Sequence, residues 1–219
     1  MVLDVEPGSY DLLVWAGEYG ESFEIAAGEE GVSTLADFDA YMRRSVEEGT
    51  AHVRDELESL YHGLISVSLP YASPSRPNYV TVPLKKDPNA VRVVLQQMSG
   101  EPVNADDFIF TITDGNGWLN SDNTLRGAEP IIYHPHYLQT GSVDINKDPE
   151  DLHNPGSNPA QKPGKMPAQM PGSRSALTAA LAEFSVGRLT TLTDPILHIT
   201  RRDDSTVLSV NIRDYALRL

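Results

Sequence analysis

The stretch DGNGWLNSDN, residues 114–123, sets several side-chain oxygens around two glycines and a tryptophan, a composition that could either coordinate calcium or turn the chain. A calcium loop of the EF-hand kind needs oxygen ligands at alternating positions and a bidentate glutamate at the twelfth. Asp114 and Asn116 fit that spacing, but Trp118 takes the fifth position and Leu125 the twelfth. The pattern favours a turn between extended segments, its Asp-Gly and Asn-Gly glycines supplying positive φ, over an irregular surface calcium site.

Histidines offer a second kind of chemistry. YHPHY puts His134 and His136 two residues apart, so on a strand both imidazoles could reach one metal. The nearest preceding carboxylate is Glu129, no third histidine is close in sequence, and Pro135 points to a strand end, so no metal centre is expected. His52, His62, His153 and His198 match no ligand spacing. Leu197 and Ile199 should lie on the face opposite His198, which leaves it on the solvent side of a core strand. No G-x-S-x-G elbow is present, and AGEYGES has its glycines in the wrong pattern for a phosphate-cradling loop. Glu29 with Glu30, and Asp106 with Asp107, are adjacent carboxylates in expected loops and read as solvated surface rather than as an acid and base pair. A hydrolase built on Asp106 or Asp107 has the least support of the functional classes. The sequence therefore names no catalytic residue, no cofactor-binding residue and no metal ligand, and favours a binding or structural module. Trp15, Trp118 and Tyr137 are the aromatic side chains that could meet a glycan or protein ligand.

The elements that would carry these residues are mostly extended. Residues 10–16 are apolar except for Asp11 and end at Gly17, a buried-strand pattern, and 23–26 is a weaker second run. Leu35, Phe38, Tyr41, Met42 and Val46 fall at helical spacing behind Thr34 and Asp37, a capping pair, which predicts one short amphipathic helix. Residues 64–69, 79–84, 91–97 and 108–113 form short extended segments punctuated by YASPSRPN, KKDPNA and SGEPVNAD. Strands at this spacing point to an antiparallel sandwich. In the last of them Phe108, Phe110 and Ile112 share one face and Thr111 and Thr113 the other. Residues 141–174 are rich in Pro, Gly, Asn and Lys and poor in large apolar side chains, so they read as a linker or long exposed loop. Beyond it, 195–200, the turn RRDDS and 207–212 predict a hairpin with Leu208, Val210 and Ile212 on one side.

Bulk properties narrow the partners. The 219 residues are 40% hydrophobic, enough for a core, and carry a net charge of −14, which argues against broad electrostatic binding to nucleic acid or an anionic membrane surface. The absence of cysteine removes disulfides, thiolate metal sites, cysteine nucleophiles and an N-terminal lipid-modified cysteine from these residues.

Taken in order, PGSYDLLVWAG, LYHG, VPLKKDPNAVRVVL, DFIFTITDGNGWLNSDN, IIYHPHY, LAEFSVGRL and DPILHITRRDDSTVLSVNIRDYALRL resemble the FimB/Mfa-like fimbrillin-associated anchor proteins of Bacteroidales, which belong to type V pili. The resemblance covers nearly the whole chain apart from the proline-rich stretch. It implies an all-β fold of transthyretin-like β-sandwich type in two domains, residues 1–140 and 175–219, joined by 141–174. It also implies that the first domain lacks its first strand and that the second is cut short, with residues missing upstream of EPGSY. As function it implies an accessory or anchor subunit of a cell-surface fimbria that attaches the polymer to the outer membrane and limits its length, without catalysis. The partners it implies are fimbrial structural subunits, met by strand exchange or edge pairing, and the outer membrane, reached through a lipid anchor that this chain does not contain. The alternative is a surface β-sandwich module that binds glycan or protein ligands.

Overall fold

The computed structural model describes residues 2, 4–71, 77–127, 129–143, 177–203 and 205–216. The strands are β1 (Gly8–Ala16), β2 (Phe23–Ile25), β3 (Ala40–Met42), β4 (Ser45–Glu47), β5 (Thr50–Val53), β6 (Tyr61–Leu69), β7 (Lys85–Lys86), β8 (Asn89–Leu95), β9 (Phe108–Asp114), β10 (Trp118–Leu119), β11 (Ile131–Tyr133), β12 (Tyr137–Val143), β13 (Leu177–Val186), β14 (Ile196–Arg201) and β15 (Thr206–Asn211). Two 3₁₀ turns, Leu35–Asp37 and Ala105–Asp107, and a single helical turn, α1 (Arg213–Ala216), complete the described elements. The fold is all-β, as the sequence predicts.

Alternating side chains build the largest sheet, whose strand order is β15-β14-β9-β11-β5-β4. Phe108, Phe110 and Ile112 are buried along β9, and Leu197 and Ile199 along β14 stand opposite Ile112 and Phe110. Tyr133 of β11 continues the row between Ile112 and Val53, although β11 runs parallel to β5 and antiparallel to β9. Ala180, Ala182, Phe184 and Val186 supply the inner face of β13, the middle strand of a second sheet ordered β12-β13-β8, and they belong to the same core cluster as Phe110, Ile112 and Tyr133. Two sheets thus bury one face each against a shared core, which is the arrangement of a sandwich. Smaller sheets, β1-β6-β7 and β10-β3-β2, accompany them.

The division into two units at 175 differs from the observed pairing. Strand β13 lies between β12 and β8, and β14 pairs with β9 in full register, so the strands expected to open a second domain complete the sheets of the first. Their apolar faces find cover there that a lone hairpin lacks. Residues 144–176, most of the expected linker, fall outside the described residues, as does His153.

The predicted helix is also corrected. Thr34 and Asp37 do form a capping box, the Thr34 backbone N–H donating to Asp37 Oδ2 at 2.7 Å, but it closes one 3₁₀ turn. The chain leaves the helical region at Phe38 and continues as β3, where Ala40 and Met42 are buried and the backbone is paired on both sides, by β2 and β10. Paired neighbours on both flanks outweigh a weak local propensity. Residues 79–84, read as a strand, carry no ladder until Lys85–Lys86 pairs with Tyr61 and His62. Tyr79 is 91% exposed, and the segment crosses Gly63, where a Cβ would come within 2.7 Å of the Pro83 carbonyl oxygen and Val82 Cγ1. Pro83 has no N–H to give to a ladder, which suits it to this irregular path.

Because Phe184 is fully buried at the join of the two sheets, Phe184→Ala should lower the unfolding free energy by about 3–5 kcal/mol, while Tyr79→Ala should stay within about 0.5 kcal/mol of wild type. Urea unfolding followed by tryptophan fluorescence measures both.

Candidate functional site

The stretch 114–123 bends away from the end of β9 and is held from beneath by side chains. Asn116 is buried. Its Oδ1 accepts from the Tyr133 hydroxyl, and its Nδ2 donates to the Arg188 carbonyl at 3.2 Å. The Tyr133 oxygen in turn accepts from the Gly187 N–H at 3.4 Å, and burial pushes its phenol well above the usual tyrosine range. Gly187 is tied to this spot by space, since a Cβ there would lie 2.8 Å from the Asn116 carbonyl oxygen.

Positive φ does not fall on the two glycines of the motif, contrary to the sequence reading. It falls on Asn123, at 64°. Gly117 is needed for a different reason: a Cβ would overlap Ile131 Cδ1 at 2.2 Å. The reversal itself is made by Asn120–Asn123, with the Asn123 N–H donating to the Asn120 carbonyl at 2.8 Å. Asparagine tolerates this left-handed conformation better than other non-glycine residues. Several oxygens of the candidate calcium loop are engaged in the turn, Asp114 Oδ1 accepting from the Gly115 N–H and Asp122 Oδ1 from both the N–H and hydroxyl of Thr124. Among the described residues no group of three or more His, Cys, Asp or Glu is placed to hold a metal ion.

Under the turn lies a second buried junction that the sequence did not single out. Asn123 Nδ2 donates to Asp87 Oδ1 at 2.8 Å, Arg188 donates to the Asn123 carbonyl, and His62 Nε2 donates to the Ser121 carbonyl at 2.8 Å. Asp87 is 1% exposed, and burial raises its carboxyl above the usual range against the opposing effects of the Asn123 bond and the charges of Arg188, His62 and Lys85. Its Oδ2 and Asn123 Oδ1 have no hydrogen-bond partner among the described residues. Asp114 is raised as well, by burial, with the Gly115 N–H and Thr193 opposing.

On the surface, Trp118 is 38% exposed, and its indole N–H donates to Asp39 Oδ2 at 3.1 Å. Arg126 lies over the indole at 4.8 Å and pairs with Asp39, Tyr41 meets the ring edge-on at 5.4 Å, and Arg44 covers Tyr41 while pairing with Glu129. Tyr137 is partly exposed, its hydroxyl donating to Gln139. Trp15 is spent inside, its N–H given to the Phe38 carbonyl at 3.0 Å and its ring set against His62.

The HPH pair does not converge. His134 meets His52 instead, Nε2 to Nδ1 at 2.9 Å, while the His136 backbone N–H is bonded to the Glu183 carbonyl. His198 is half-buried beside Ser209, with its neighbours Leu197 and Ile199 buried. Asp106 and Asp107 sit in a 3₁₀ turn whose carbonyls accept from Arg202, and Glu29 and Glu30 are exposed.

Among the described residues the large sheet ends in two strands paired on one side only, β4 and β15. Leu208 stands opposite Ile199, on the core side, yet Leu208 is 43% exposed where Ile199 is 1% exposed. Among the described residues, Leu208 lacks the cover that Ile199 has. Val210 is partly buried and Ile212 buried, so the apolar face the sequence predicted is open only toward Leu208, with Val207 exposed beside it.

Two sheets on one core, with the chemistry-bearing side chains tied into the fold or laid out along a surface, define an all-β sandwich. The chain belongs to the family of fimbrillin-A associated anchor proteins Mfa1 and Mfa2, whose model matches residues 1–218. No curated protein matches it by sequence. Among solved structures it is similar to a candidate adhesin from Bacteroides thetaiotaomicron, at 23% identity and a TM-score of 0.72, covering 99% of this chain and 64% of that one. A structure described as candidate polysaccharide-binding proteins from the same organism aligns at 23% identity and a TM-score of 0.71, over 97% and 62% of the two chains. The fimbrial anchor protein Mfa2 from Porphyromonas gingivalis aligns at 14% identity and a TM-score of 0.59, over 97% and 63%. These likenesses support the fold, and the chain spans less than two thirds of each of these solved structures.

The Asp87 junction yields a test. A carboxyl whose pKa is raised on folding stabilises most below its unfolded pKa and loses that contribution as pH rises through the folded value. Asp87→Asn keeps the shape and stays neutral, so its stability should vary less than wild type from about pH 4 to 7, whereas Asp87→Ala should cost about 1–3 kcal/mol by orphaning Asn123 Nδ2. Denaturant titrations across that range read the two slopes.

Proposed function

We propose that this chain is an accessory subunit of a cell-surface fimbria that attaches the polymer to the outer membrane and limits its length. The observation that carries the reading, beside family membership, is the edge at β15, which no described strand pairs and which adjoins the exposed Val207 and Leu208. Such an edge is a template for one more strand. A strand from a fimbrial structural subunit is the occupant in this reading, and a strand that fills the edge ends growth on that side. Membrane attachment is made by a lipid group outside the 219 residues, which contain no cysteine. The role is one of contact and uses no catalytic group, cofactor or metal.

Deleting the gene should release longer fimbriae into the medium, and wild-type protein should restore short, attached ones. Leu208→Asp should fail to restore them while the isolated protein still unfolds cooperatively, at a cost of about 1 kcal/mol. Fimbriae of unchanged length and attachment in the deletion strain would refute the anchoring role.

A second reading rests on Trp118, an exposed indole flanked by the hydrogen-bonding groups of Asp39 and Arg126, the kind of surface that can stack on a sugar. It draws support from the similar structure described as candidate polysaccharide-binding proteins. In this reading the protein binds glycans on an array and Trp118→Ala removes that binding. An array with no glycan retained above background would count against it.

A further inference from the structure

His52 and His134 lie 82 residues apart in sequence and meet because β11 runs parallel to β5. Their nitrogens are 2.9 Å apart, their ring centres 5.2 Å apart and their planes 20° apart. The centre separation exceeds the nitrogen separation by about one ring's width, so the imidazoles meet end to end and nearly in plane. That geometry needs a proton on one nitrogen and a lone pair on the other. It leaves no room between them for a metal, which would stand about 2.0–2.1 Å from each nitrogen.

The contact closes over a strategic piece of chain. The His134 N–H donates to the Val53 carbonyl, the His136 N–H to the Glu183 carbonyl, and Pro135 stands between, so residues 134–136 carry the chain from the large sheet to β12 in the second one. On the large-sheet side, the side-chain contact to His52 adds to the single backbone bond at His134.

We propose that the His52–His134 contact is an acid-released clasp on the crossover between the two sheets. One extra proton can be shared along the nitrogen–nitrogen line. A second removes the acceptor and sets two cations against each other. The charged groups that face the pair are Arg54, the residue after the end of β5, and Glu47 of β4, which is bound to Arg54 at 2.8 Å. His134 is held below the ordinary histidine range, first by burial and then by Arg54 and His52, with Glu47 opposing. The sign follows. A histidine whose pKa is lowered on folding loses stabilisation as pH falls below the unfolded value, so the clasp is closed at neutral pH and opens in acid.

Hydrogen exchange of the full chain at about pH 7.5 and about pH 5, corrected for intrinsic rates, tests this. Peptides over 50–53 and 131–137 should exchange about tenfold faster in acid while β9, β13 and β14 stay protected. His134→Gln, whose terminal amide can reach the place of Nε2 without titrating, should abolish the difference. Should that variant fail to fold, imidazole NMR of the wild type decides: the His134 ring should take up its proton below the ordinary histidine range, and the coupling across the His52–His134 nitrogen–nitrogen contact should vanish in acid. Equal exchange at both pH values, a uniform increase over the whole chain, or a His134 ring that titrates at or above the ordinary histidine range would overturn the clasp.

Discussion

The hydroxyl of Tyr133 is a fully buried polar group that must be satisfied where three parts of the chain meet. It donates to Asn116 from the turn after β9 and accepts from the backbone of Gly187 just beyond β13, while the ring fills the core between Ile112 and Val53. A buried hydroxyl without partners costs as much as a good hydrogen bond contributes, so the position of the turn, the end of β13 and the packing of β11 are mutually fixed. Arg188 extends the constraint. Its carbonyl takes Asn116 Nδ2 and its guanidinium takes the Asn123 carbonyl, so the same short segment that ends β13 also holds the turn and, through Asn123, Asp87.

From this junction outward the molecule becomes less constrained. Core faces of β9, β14 and β13 are buried in one cluster, whereas on β15 the apolar Leu208 is half-exposed among the described residues, opposite the buried Ile199. The surface around Trp118 shows a third regime, in which Asp39, Arg126, Tyr41 and Arg44 brace one another without being buried deeply.

How much of this could be read from the residues depends on whether the determining contact is local. Alternation made β9 and β14 legible, because Phe108, Phe110 and Ile112 on one strand and Leu197 and Ile199 on the other each repeat every second residue. Residues 34–46 misled because Leu35, Phe38, Tyr41 and Met42 satisfy a helical period, while the strand there is decided by β2 and β10, neighbours that no local pattern reveals. Asp87 before a proline and Asn123 after an aspartate look like solvated turn residues, yet both are buried by chain brought from far away. His52 and His134 are joined by a parallel pairing that their 82-residue separation conceals, and the two-residue spacing of His134 and His136 drew attention to the wrong partner.

Asn116 and Gly117 also make an asparagine–glycine pair, the dipeptide in which the following backbone nitrogen most readily attacks the side-chain amide and expels ammonia. That attack requires the amide to swing toward its own chain. Here the amide is pinned at both ends, by the Tyr133 hydroxyl and the Arg188 carbonyl, and the backbone at Gly117 is wedged against Ile131. The reaction is therefore arrested for as long as the junction stays closed and proceeds only when it opens. Deamidation at Asn116, with its small gain in mass, accordingly marks copies whose junction has been open and passes over those that have merely aged.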